Sequence, residues 1–92
     1  MKFYPASDHP VGETHQAWFS LHDNRLYPET DHPEGKGDLP WYRIRGNDVY
    51  PDHGHPKGVG IKPWFRIVGD KVISQPWNPE AAVYQTFYRL GL

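Results

Sequence analysis

Four short segments recur at a fixed spacing of 23 residues: Trp18-Phe19-Ser20-Leu21, Trp41-Tyr42-Arg43-Ile44, Trp64-Phe65-Arg66-Ile67 and Phe87-Tyr88-Arg89-Leu90. The match runs on through Leu26-Tyr27-Pro28, Val49-Tyr50-Pro51 and Val72-Ile73-Ser74, then through Asp31-His32-Pro33-Glu34-Gly35, Gly54-His55-Pro56-Lys57-Gly58 and Trp77-Asn78-Pro79-Glu80-Ala81. The amino terminus carries what the last copy lacks, because Phe3-Tyr4-Pro5 and Asp8-His9-Pro10-Val11-Gly12 fall in the same register. Four units without insertion or deletion fill all 92 residues. A repeat of this length is one supersecondary unit that cannot bury its apolar face alone. The chain therefore reads as a single domain, residues 1–92, in the form of a ring cut open inside one unit.

Each unit has the pattern of a β-hairpin. A short aromatic and aliphatic strand runs into Asp23-Asn24, Gly46-Asn47 or Gly69-Asp70, residue types that accept the positive φ of a two-residue turn. A second short strand follows, then a connector in which Pro and Gly stop the strand. The composition of 9 Gly and 10 Pro agrees with a turn-rich all-β chain, and 4 Trp, 6 Tyr and 4 Phe supply a thin core despite a mean hydropathy of −0.80. The fourth hairpin must pair Phe87–Leu90 with Lys2–Tyr4 and so join the two chain ends. The segment from Asn78 to Gln85 opposes this pattern: an N-cap, a proline and good helix formers predict one or two helical turns near residues 79–84.

Several function classes lose support. There is no Cys, hence no disulfide framework and no thiolate metal site. A formal charge of −1 gives duplex nucleic acid little electrostatic purchase, so no nucleic-acid partner is expected. No apolar run reaches membrane-spanning length and the first residues do not start a signal peptide, which makes the cytoplasm the expected location. Ser7, Ser20 and Ser74 lie in no nucleophile motif, and the expectation is a protein that is not an enzyme.

The unit Pro40-Trp41-Tyr42-Arg43-Ile44-Arg45-Gly46-Asn47-Asp48-Val49-Tyr50 with His55-Pro56-Lys57-Gly58 resembles the repeat of the four-fold β-flower proteins. The resemblance covers the whole chain. It implies hairpin petals around a central pseudo-four-fold axis, a propeller-like closed ring, and no established reaction. The departures are Ser20 where other units have arginine, Phe87 for Trp, Thr86 for Pro, and Trp77-Asn78 in place of Asp-His or Gly-His.

A closed ring turns each repeat position into a set of four side chains. Alternation along the first strand puts Phe19, Tyr42, Phe65 and Tyr88 on a core-like face. It puts Trp18, Trp41, Trp64 and Phe87 on the other, together with Arg43, Arg66 and Arg89. Aromatic walls with forked cationic donors suit a small hydrophobic or amphiphilic ligand, anionic and lipid-like, at the central axis. The competing reading is that the indoles fill the core while the arginines pair with neighbours. His9, His32 and His55 are equivalent and form a candidate site for a divalent transition metal, against a plain role in turns. A third reading is an interaction scaffold that self-associates through Trp77, Tyr50 and Tyr27.

Overall fold

The computed structural model describes all 92 residues and contains eight strands with no helix. They are β1 (Lys2–Pro5), β2 (Phe19–His22), β3 (Arg25–Pro28), β4 (Tyr42–Arg45), β5 (Asp48–Pro51), β6 (Phe65–Val68), β7 (Lys71–Ser74) and β8 (Thr86–Gly91). Each pairs antiparallel with its neighbours in chain order, and β1 pairs with β8, so the sheet closes into a barrel. Three hairpins repeat one register: Phe19↔Pro28, Tyr42↔Pro51 and Phe65↔Ser74 are the corresponding pairs. The fourth joins the chain ends through Phe3↔Leu90, Tyr4↔Arg89 and Pro5↔Tyr88, as the repeat requires. Tyr4 adds a hydrogen bond from its hydroxyl to Leu92 O at 2.8 Å.

The turn chemistry is local. Asp23 and Asn24 both take positive φ, 52° and 61°, the signs of a type I′ turn. In the next two hairpins Gly46 and Gly69 take φ of 62° and 64°, and Asn47 and Asp70 do not follow them. Neighbouring hairpins meet through single buried pairs: Phe3↔Phe19, Leu26↔Tyr42, Val49↔Phe65 and Val72↔Tyr88. These eight side chains are all buried and form two tiers of the core, with Leu21, Ile44, Ile67 and Leu90 half-buried against it.

Residues 79–84 carry no helical turn, contrary to the local sequence preference. Ser74 diverts their backbone. Tyr84 N donates to Ser74 O and Ser74 N to Gln85 O, while the Ser74 hydroxyl donates to Ala82 O and accepts from Gln85 N. A helix needs those same groups for its own ladder, and tertiary pairing overrides a weak propensity. Tyr84 absorbs the bend at φ 62°.

Candidate aromatic site on the barrel axis

The floor of the site is a square of rings. Phe19, Tyr42, Phe65 and Tyr88 stand edge to face around the axis, with centroid distances of 5.5, 5.8, 5.7 and 5.8 Å and interplanar angles between 73° and 81°. Edge-to-face contact sets the positive rim of one ring against the negative face of the next, so four rings can close head to tail. Burial raises the pKa of the Tyr42 and Tyr88 phenols, first by desolvation and then through nearby acidic groups, and both stay protonated.

Above the floor lies a belt in which imidazoles alternate with larger rings. Going round, Phe87–His9 is 4.9 Å, His9–Trp18 4.6 Å, Trp18–His32 4.9 Å and His32–Trp41 4.5 Å; Trp41–His55 at 5.1 Å and His55–Trp64 at 4.8 Å complete it. Asn78 takes the fourth imidazole's place. The connectors explain how the histidines arrive there. Nδ1 of His9, His32 and His55 accepts the backbone N–H two residues on, from Val11, Glu34 and Lys57, and Asn78 Oδ1 does the same for Glu80. The side chain caps its own turn and points the rest of the ring inward.

Acceptance at Nδ1 puts the proton of the neutral imidazole on Nε2, and that of His55 donates to the Tyr42 oxygen at 3.3 Å. Desolvation lowers the pKa of all three histidines. His9 falls to about 4 with help from His32, and His55 to about 4 with help from Lys57. His32 falls too, although Glu34 opposes the shift. The belt is therefore neutral at pH 7. A metal would need a lone pair that these rings already spend on the backbone, and no group of three His, Asp or Glu side chains is arranged to hold an ion. The histidines act as turn caps and walls.

Floor and belt enclose a depression of about 260 Å³ lined by His9, His32, Trp18, Trp41, Tyr42, Phe65, Phe87 and Tyr88, with Pro10, Pro33, Glu34 and Glu80. Trp18 and Trp41 are half-buried, whereas Trp64 and Phe87 are buried. The arginines expected beside these rings lie elsewhere. Arg43 stacks over Tyr50 and donates to Pro51 O and Gly60 O; Arg89 stacks over Tyr4 and donates to Thr14 O; Arg66 pairs with Asp48 at 3.0 Å. The reason is a strand boundary. Trp18, Trp41 and Trp64 precede the first residues of β2, β4 and β6, so the alternation that governs Arg43 and Arg66 does not extend to the indoles. Glu34 and Glu80 at the depression share one repeat position, two residues after His32 and Asn78, but Val11 and Lys57 fill it in the other units, so the repeat alone did not mark it as acidic.

No protein-family model matches the chain, and no curated protein or solved structure does so either. No helix is long and apolar enough to cross a membrane. Trp77, Tyr50 and Tyr27 are spread over different settings: Trp77 is exposed under Lys62 Nζ at 3.9 Å, Tyr50 lies under Arg43, and Tyr27 lines a separate outer cavity.

Proposed function

We propose that the protein is a non-catalytic binding module that takes a small apolar or amphiphilic molecule into the axial depression. The observation that carries this reading is the aromatic cup itself: six aromatic rings and two neutral imidazoles converge on one preformed cavity. A largely apolar cavity with a few placed polar groups is the usual form of a small-molecule site. At about 260 Å³ it falls just below the roughly 300–1,000 Å³ of drug-sized sites, so the occupant is a compact group. The expected preference for an anionic head goes with the displaced arginines. With Glu34 and Glu80 in the lining and no arginine among them, the charge favours a neutral or cationic head, and aromatic faces attract a desolvated cation. Lys57, 3.9 Å from Glu80, offsets part of that charge, which leaves Glu34 as the stronger determinant.

Tryptophan fluorescence tests it with three probes of matched size: benzyltrimethylammonium, benzyl alcohol and benzoate. The cation should bind most tightly and benzoate least. Glu34→Gln should bring the cation close to the neutral probe, a loss of about threefold to tenfold. Benzoate binding as tightly as the cation overturns the charge preference, and no response to any probe overturns the site.

A further inference from the structure

The hairpin β2–β3 carries a cavity of about 330 Å³ on its outer side, lined by Ser20, Tyr27, Pro28, Glu29, Gly37 and Asp38 among others. Two sister hairpins show what such a cavity holds. In β4–β5 the guanidinium of Arg43 lies 5.1 Å from the Tyr50 ring centroid and donates to Pro51 O at 2.8 Å and Gly60 O at 2.7 Å. In the terminal hairpin Arg89 lies 4.7 Å from the Tyr4 centroid and donates to Thr14 O at 3.1 Å. Counting in steps of 23, the position of Arg43 is Ser20 in β2–β3, while Tyr50, Pro51 and Gly60 become Tyr27, Pro28 and Gly37. The ring, both carbonyls and the close backbone approach are all retained: a Cβ on Gly37 would meet Pro28 Cγ at 3.3 Å, as one on Gly60 would meet Pro51 Cγ at 2.8 Å. Only the cation has gone.

We infer that the Ser20 cavity is a binding site for a guanidinium group supplied from outside the chain, stacked on Tyr27 and donating to Pro28 O and Gly37 O. Charge and packing around the cavity support this. Positions that are Val59 and Ile61 beside Arg43 are Lys36 and Asp38 here, and Glu29 adds a second carboxylate, so the lining has two acidic groups against one basic one. Where an arginine is in place, the connector is drawn in: Gly60 N donates to Pro51 O and Thr14 N to Pro5 O. Gly37 N makes no such bond to Pro28, and Gly37 O accepts none from the protein. A fork of planar N–H donors is what two convergent carbonyls and a ring face recognise, and an ammonium cannot reproduce it. The remaining hairpin, β6–β7, shows the dependence on the ring: Ile73 stands where the tyrosine would be, and Arg66 turns away to Asp48.

Amide chemical shifts of the intact protein test the site with agmatine, butylammonium and a Gly-Arg-Gly peptide as probes. Agmatine should shift Ser20, Tyr27 and Gly37 and bind about fivefold to tenfold more tightly than butylammonium. Response to the peptide as well identifies an arginine side chain as a competent donor; response to agmatine alone restricts the site to free small molecules. Ser20→Arg fills the cavity from within, so it should abolish the shifts and raise Tm. Tyr27→Leu should weaken agmatine without changing the response of the axial site. The inference is overturned if butylammonium binds as well as agmatine, if Ser20→Arg binds agmatine like the parent, or if no probe moves these three amides.

Discussion

At the axis Phe19 touches Tyr42 and Tyr88, each of which touches Phe65, whereas on the outer faces Arg43 and Arg89 find all their partners within one hairpin and the connector that follows it. Each axial ring is shared among three hairpins, its own and one on either side, and the square as a whole joins all four. Arg43 and Arg89 are private to their own units, while Arg66 on β6 crosses to Asp48 on β5 of the preceding hairpin. The difference explains where the units have diverged: the floor varies only between Phe and Tyr, while the outer position has become serine in one unit and has changed partners in another. Private positions are free to acquire a separate role without disturbing the core.

Substitution should expose that contrast most sharply at Phe19. It is 1% exposed, and truncation to alanine leaves a void among rings that cannot collapse without losing their mutual contacts. A loss of about 3–5 kcal/mol is expected. In a domain of this size that is a fall in Tm of roughly 15–30 °C, measured by circular dichroism. A fall of only a few degrees would mean that the four hairpins do not depend on a common floor.

The belt should respond to acid. An unfolded chain takes up protons on its histidines near pH 6.5, whereas His9 and His55 in the folded protein do so only at about 4. The stability these neutral rings permit is complete above pH 6.5 and is lost progressively as the pH falls towards 4. The expected loss is on the order of 2 kcal/mol per imidazole, allowing for the open side of the depression. Urea midpoints at pH 7 and pH 4.5 measure it. His55→Asn copies the cap already made by Asn78 and should flatten part of the acid slope; an unchanged slope would remove His55 as its source.

The smallest effect belongs to the outer ion pair. Arg66 and Asp48 meet at 3.0 Å with the arginine side chain 54% exposed. Arg66→Ala should therefore cost no more than about 1 kcal/mol by urea denaturation. A cost comparable to Phe19→Ala would erase the distinction between axial and outer positions.

The hairpins and their closure were legible because turn residues and a fixed 23-residue period are properties of adjacent backbone. Asp23-Asn24, Gly46 and Gly69 announce the turns, and the copy split between Phe87–Leu90 and Phe3–Pro5 announces the seam. The site was legible by membership but not by grouping. Trp18 and Trp41 line the depression and Trp64 does not, and pairing the indoles with the arginines assumes strand alternation one residue before each strand begins. The inward aim of the histidines depends on a side-chain bond to the backbone two residues on, which the His-Pro pattern alone does not separate from a surface turn. The absent helix at 79–84 turned on Ser74, a residue remote enough in sequence that no local propensity includes it. Ser20 was visible as a departure from the arginine pattern. Its meaning required seeing what Arg43 and Arg89 do.

The pairing of β1 with β8 also sets a timetable for synthesis. Of the eight strands β1 is made first and can pair with β2 early, but its second partner, β8, emerges only after the other seven. Until then β1 and β7 are open edges of a growing sheet, and Tyr4 has neither Arg89 above it nor Leu92 to bond. Unpaired edges are where nascent chains stick to one another. A slow or stalled translation of β8 should therefore prolong the interval in which the chain is prone to aggregate.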